Sequence, residues 1–175
     1  MIKPYLTYYP VPGKGELIRM MLSHHQVNYE EGYKGYHERE SYEFGQIPVL
    51  DIDGRRLAQT KAILDYLSKK YGLFPSSPPL FIKVKFLADV FGEMRQALKD
   101  YVIHAQDRKT TVPLFFNRVV PGVLQILKET LEANGSKEYL VGTELTVADL
   151  LFCEFIFETV INRTNQFGTY KLGRA

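Results

Sequence analysis

The dipeptide Asp53-Gly54 restricts what this chain can become more than any other feature. It sits between Ile47-Pro48-Val49-Leu50-Asp51-Ile52 and Arg55-Arg56-Leu57. Asp-Gly flanked by short strand-forming runs is the strongest local hairpin signal, because both residues accept the positive φ of a two-residue turn. Upstream, Tyr5-Leu6-Thr7-Tyr8-Tyr9 is rich in strand formers and is stopped by Pro10, Pro12 and Gly13. Leu17, Ile18, Met21 and Leu22 then fall on one helix face, and Val27-Asn28-Tyr29-Glu30 alternates as a short strand should. A β-α-β opening favours parallel pairing, so a hairpin after it predicts a sheet of mixed parallel and antiparallel neighbours. Gly32 to Phe44 reads as a polar, tyrosine-rich loop with at most a short helix. Beyond Gln59, the residues Ala62, Ile63, Tyr66, Leu67 and Tyr71 share a helical face, and Gly72 offers a stop.

Pro75-Ser76-Ser77-Pro78-Pro79 is the clearest linker, since stacked prolines and serines continue neither helix nor strand. It divides the chain into an expected α+β domain at 1–74 and an all-helical domain at 80–175. In the second part Leu87, Val90, Phe91, Met94, Leu98, Tyr101 and Val102 recur at helical spacing. Another helix is expected over about 112–134, closed by Gly135, with Pro121 as a kink or a constraint near its first half. A further helix begins at Thr146, where Thr146-x-x-Asp149 has the form of a capping box.

Several function classes drop out at once. The 22 basic and 20 acidic residues leave a net charge of +2, no footprint for nucleic acid. The sequence lacks an unbroken apolar run of the length that suggests a membrane span and lacks an N-terminal signal pattern, so no membrane partner and a cytoplasmic location are expected. The single cysteine, Cys153, rules out an internal disulfide or dithiol chemistry; amid Leu151, Phe152 and Phe155 it reads as a small buried apolar residue. His24 and His25 are adjacent and His37 and His104 isolated, so no metal-site spacing is present.

What remains is a group of polar residues at the loop-facing ends of these elements: Tyr8, Lys14, Gln46-Ile47-Pro48 and Gln59-Thr60. In LTYYPVPGKGELIRMML, FGQIPVLDIDGRRLAQTKAILDYLSKKYGL and YLVGTELTVADLLFCE, the chain resembles the cytosolic glutathione transferases, most closely the tyrosine-type alpha and sigma classes. The resemblance spans nearly the whole chain and implies a thioredoxin-like N-terminal domain with the glutathione site, then an all-α domain with the second-substrate pocket. It implies glutathione as co-substrate with no metal or prosthetic group, a small hydrophobic electrophile, and a homodimer built on the helix from Leu80 and the hairpin region.

Carried over residue by residue, the tyrosine that hydrogen-bonds the glutathione sulfur maps onto Tyr8. A thiol of pKa near ~8.5 is mostly protonated at neutral pH, and the thiolate is the nucleophile. Tyr9 is the positional rival, because adjacent strand residues face opposite sides. Pro48 matches a cis-proline that lets the backbone of Ile47 pair with the cysteinyl part of glutathione; the plainer reading is a proline at a strand start. Gln46 lies in the same stretch. Gln59-Thr60 matches the site for the γ-glutamyl carboxylate at a helix N-terminus, where Thr60 also suits an N-cap. Arg39 falls where a basic residue meets the glycine carboxylate, and equally reads as a solvated arginine. Glu93 falls near the acidic residue that reaches a partner subunit's glutathione amine, and equally reads as an exposed helix charge.

Two departures stand out. Pro12-Gly13-Lys14 replaces the usual Arg-Gly-Arg, and an ammonium does not substitute for a guanidinium fork. The chain is also expected to lack the C-terminal helices that follow the Thr146 helix in the family, which would expose an apolar face. The residues thus favour a glutathione transferase acting on small hydrophobic electrophiles, with isomerase use of glutathione also admitted by the sigma-like resemblance. The alternative is a non-catalytic glutathione-transferase-like binding or assembly module.

Overall fold

The computed structural model describes residues 3–33, 40–135 and 138–161, with side chains as far as Thr159. The described residues fall into two compact units, one of those within 3–73 together with 153–161 and the other of those within 74–152.

In the first unit, β1 (Tyr5–Thr7) leads to α1 (Gly13–His24), β2 (Glu30–Gly32), the hairpin strands β3 (Val49–Ile52) and β4 (Arg55–Ala58), and α2 (Thr60–Lys70). The sheet order is β2-β1-β3-β4. The β1 and β2 strands are parallel, whereas β1 with β3 and β3 with β4 are antiparallel, the mixed sheet expected. At the hairpin tip Asp53 and Gly54 both take positive φ, +52° and +70°, as a type I′ turn requires. The Asp53 carboxylate is held by the Tyr66 hydroxyl at 2.5 Å and by the Lys70 ammonium, tying the turn to α2. The core is apolar: Leu6, Ile18, Met21, Leu50, Ile63 and Leu67 are fully buried.

Two details of this unit depart from the sequence reading. The second strand starts at Glu30, later than Val27, because the chain is still closing α1: Val27 N–H donates to Leu22 O, and Gln26 turns through φ +52°. On α2 the inward face is Ile63, Leu67 and Ser68, while Ala62 is exposed.

In the second unit α3 (Pro78–Leu98) buries Val84, Leu87, Phe91 and Met94 on one face. Its first two residues are Pro78 and Pro79, so these prolines open a helix instead of extending the linker; Pro is tolerated there because first-turn N–H groups have no intrahelical acceptor. A π turn at Lys99–Ile103 ends it. Next, α4 (Arg108–Leu114), a π segment at Phe115–Val119 and α5 (Val120–Asn134) follow one another directly, starting earlier than the expected 112. This stretch, Arg108–Asn134, is long and apolar enough on average to meet the length and composition of a membrane span. Its pattern is amphipathic, however: Phe115, Val120, Val123 and Leu127 are buried while Asn117, Arg118, Gln125 and Lys128 are exposed. Leu114, Leu124 and Ile126 are exposed as well.

Among the described residues the final α-helix, α6 (Val147–Phe155), starts as the capping-box pattern predicts and runs into a π segment at Ile156–Ile161. Asp149 Oδ2 accepts from the Thr146 N–H and hydroxyl, both at 2.8 Å, and Oδ1 accepts from Leu140 N–H at 2.7 Å. Cys153 is exposed, contrary to the sequence reading. Leu150, Leu151, Glu154 and Phe155 take the buried positions, and Cys153 falls with Phe157, four residues on, along the outer face.

Candidate active site

Strand register brings the candidate residues to one end of the sheet. Thr7 of β1 lies opposite Val49 of β3, and Val49 opposite Ala58 of β4. One residue beyond this row stand Tyr8, Pro48 and Gln59, from three segments distant in sequence. The Ile47-Pro48 bond is cis. Pro48 is buried and Ile47 half-buried, and exposed Gln46 accepts at its side-chain Oε1 from the Gln59 Nε2 at 3.1 Å. Gln59 is the N-cap residue of α2, with φ +68° and ψ +116° and no side-chain capping bond. Thr60 is therefore the first helical residue and not the cap. The first-turn N–H groups of α2 thus receive no capping bond from the Gln59 side chain, and a helix start in that condition suits a carboxylate.

Tyr8 is 8% exposed. Its hydroxyl oxygen accepts from the backbone N–H of Lys14 at 2.9 Å, in the first turn of α1. The ring fits there because Gly13 and Gly15 carry no side chain: a Cβ would come 2.8 Å from the Tyr8 hydroxyl oxygen at Gly13 and 2.4 Å from ring Cδ1 at Gly15. Tyr9 is half-buried with its ring 5.5 Å from that of Tyr8, and its carbonyl accepts from Arg19 Nη2 at 3.1 Å. The Tyr8 hydroxyl is thus set at the positive end of a helix, where it can donate its proton toward an anion. Lys14 contributes its main-chain amide to this arrangement.

Arg19 is the residue that sequence reasoning missed. Its side chain, 16% exposed, donates from Nε to Glu31 at 2.8 Å and from Nη1 to Glu16 at 3.0 Å and to Val11 O at 3.1 Å. Burial works against its charge, yet the bonds to Glu31 and Glu16 and the charges of those carboxylates outweigh it and raise its proton affinity. The i, i+3 spacing of Glu16 and Arg19 was the available signal.

Glu93 is an exposed residue of α3, in the second unit. Arg39 lies outside the described residues. Among the described residues, no group of three or more His, Cys, Asp or Glu is placed to hold a metal ion.

Residues 4–69 match the family described as Glutathione S-transferase, N-terminal domain, and residues 92–171 match Glutathione S-transferase, C-terminal domain. Glutathione S-transferase alpha-4 of Rattus norvegicus is 31% identical over 169 residues, covering 89% of this chain and 73% of that protein. The structure of prostaglandin synthase D of Nilaparvata lugens superposes with a TM-score of 0.79 at 27% identity, covering 95% of this chain and 88% of the other. A monomeric glutathione S-transferase of the hookworm Necator americanus superposes with a TM-score of 0.75 at 27% identity, over 94% of this chain and 83% of the other.

Proposed function

The chain belongs to the glutathione S-transferase family, and from that premise we propose that it is an enzyme joining the glutathione thiolate to small hydrophobic electrophiles. The observation that carries the reading is the Tyr8 hydroxyl, held at 2.9 Å by the Lys14 amide beside cis Pro48 and Gln59. An oxygen that already accepts an N–H bond donates its own proton more strongly. Aimed at sulfur, that proton and the positive end of α1 stabilise thiolate over thiol. Lowering a thiol pKa of ~8.5 by ~2 units needs roughly 2.7 kcal/mol of differential stabilisation, within the reach of one charge-assisted hydrogen bond and a helix terminus. The thiol proton leaves to solvent, and the sulfur pair attacks the electrophilic carbon. An S–C bond forms while a leaving group departs with its bonding pair, or while the π bond at that carbon breaks and its pair moves onto the conjugated acceptor, which then takes a proton from solvent.

In this reading glutathione lies along residues 1–74. Gln46, Gln59 and Thr60 take the γ-glutamyl end, the Ile47 backbone ahead of Pro48 takes the cysteinyl part, Lys14 adds a cation near the thiolate, and Arg39 takes the glycine carboxylate. The helical part, residues 80–175, supplies the electrophile pocket. Glutathione serves as co-substrate, with no metal or prosthetic group, and the protein works in the cytoplasm. A homodimer through α3 and the hairpin region is supported by Ile82 and Phe86, 45% and 64% exposed one turn apart on α3; Glu93 would reach the partner's glutathione amine.

The test is calorimetric titration of glutathione into the protein, with conjugation to 1-chloro-2,4-dinitrobenzene measured in parallel. Tyr8→Phe is expected to keep binding and lose most conjugation, and Thr60→Ala to weaken binding. A folded protein that binds no glutathione removes the enzymatic reading and leaves the scaffold alternative.

A further inference from the structure

The segment between β1 and α1 is tied down by a side chain from outside it. Pro10 and Pro12 have no N–H to donate, and the segment's own short-range bond is Val11 N–H to Tyr9 O at 2.8 Å. Its carbonyls instead converge on one side chain. Arg19 reaches Tyr9 O from Nη2 and Val11 O from Nη1 at 3.1 Å each, with Pro12 O at 3.5 Å, while Glu16 of α1 also bonds Nη1 and Glu31 of β2 holds Nε. Its Cζ lies 5.8 Å from the centroid of the Tyr8 ring. One planar group thereby joins a strand, a helix and the turn that connects Tyr8 to Lys14. Five donors in a rigid fork can do this, whereas the three donors of an ammonium at a single point cannot span the same acceptors.

We propose that Arg19 is a positioning residue for the Tyr8 hydroxyl: it fixes the Tyr9–Pro12 turn so that the Lys14 amide stays on the Tyr8 oxygen and the ring stays against Gly13 and Gly15. The proposal deepens the thiol-activating role given to Tyr8 above and rests on it for its functional consequence. Arg19 itself touches neither glutathione nor the reacting sulfur in this scheme. Its effect passes entirely through Tyr8, and that separates it from a residue that merely holds the fold together.

The experiment uses the full chain and Arg19→Lys, which keeps the charge and removes the fork. The thiolate absorbance of bound glutathione is followed against pH. The apparent thiol pKa is expected to rise by about one unit, about a tenfold loss of thiolate at acidic pH, while glutathione affinity stays within about threefold. In a Tyr8→Phe background the same Arg19→Lys change is expected to move the thiol pKa no further, because the hydroxyl it positions is gone. Glu31→Gln, which keeps an acceptor and drops its charge, is expected to shift the pKa in the same direction by less, and serves if Arg19→Lys fails to fold. Hydrogen exchange at the Lys14 amide in the free protein reports the geometry without glutathione, and Arg19→Lys should speed it about tenfold or more.

An unchanged thiol pKa, or an equal shift with and without Tyr8, overturns the proposal, and so does unaltered Lys14 exchange. If the wild type gives no thiolate signal, the transferase reading fails by itself, and the Lys14 exchange still decides whether Arg19 sets the Tyr8 contact.

Discussion

Tyr8 lies so close over Gly15 that a methyl group on that glycine would come within 2.4 Å of the ring. The first turn of α1 and the end of β1 are thus fitted to each other at a point where only hydrogen is small enough. Gly15→Ala is expected to push the ring outward, costing about 1 to 3 kcal/mol in urea denaturation as an overpacked contact and lowering conjugation more than glutathione affinity. An alanine variant of wild-type stability and activity would show that the ring is not confined there.

Gln59 holds a left-handed backbone conformation, φ +68°, beside its side-chain bond to Gln46. Strain of this kind is about 1 to 3 kcal/mol for a residue with a Cβ, and glycine is released from it. Gln59→Gly is therefore expected to melt at or above the wild-type temperature while binding glutathione about tenfold more weakly, because the amide is lost. Scanning calorimetry and titration together check this, and a variant both less stable and unimpaired in binding would contradict it.

Asp149 accepts three hydrogen bonds in a buried setting. Asp149→Ala strands the Leu140 and Thr146 amides and breaks the Thr146–Asp149 pairing at the start of α6, and should cost about 2 to 4 kcal/mol. Urea midpoints provide the measurement, and a loss under about 0.5 kcal/mol would mean the amides find other acceptors.

His25 stacks on Tyr71 with ring centroids 4.5 Å apart, and burial, then the neighbouring His24 charge, push its pKa below the ordinary 6.5. The unfolded chain therefore takes up this proton more readily than the native one. This group leaves stability untouched well above pH 6.5 and subtracts from it as pH falls through 6.5 toward the lower native value. His25→Phe keeps the stack and should lose less stability than wild type between about pH 7.5 and about pH 5.5. Equal losses in the two proteins would assign the acid sensitivity elsewhere.

Much of this molecule can be read from local chemistry. Asp53-Gly54 dictates its turn through positive φ at both positions, and Thr146-x-x-Asp149 names its own hydrogen bonds. The β-α-β opening and the hairpin between them fix the mixed sheet. Other elements yield only to context. Val27 alternates like a strand residue, but the close of α1 claims its N–H and the strand waits until Glu30. Cys153 lies within two residues of Leu151, Phe152 and Phe155, yet helical rotation turns it outward. Pro78 and Pro79 look like linker because the same residue type both breaks a helix and starts one. For Arg19 the i, i+3 spacing to Glu16 marks only a common helix pair, while the carbonyls of Tyr9 and Val11 that it also holds carry no sequence pattern.

The contact on the Tyr8 oxygen comes from the peptide group of Lys14, not from its side chain. Nineteen of the twenty genetically encoded amino acids offer that same donor, so drift at position 14 leaves the bond standing, and proline alone deletes it. Selection on residue 14 can then act on local charge without disturbing the hydroxyl's anchor.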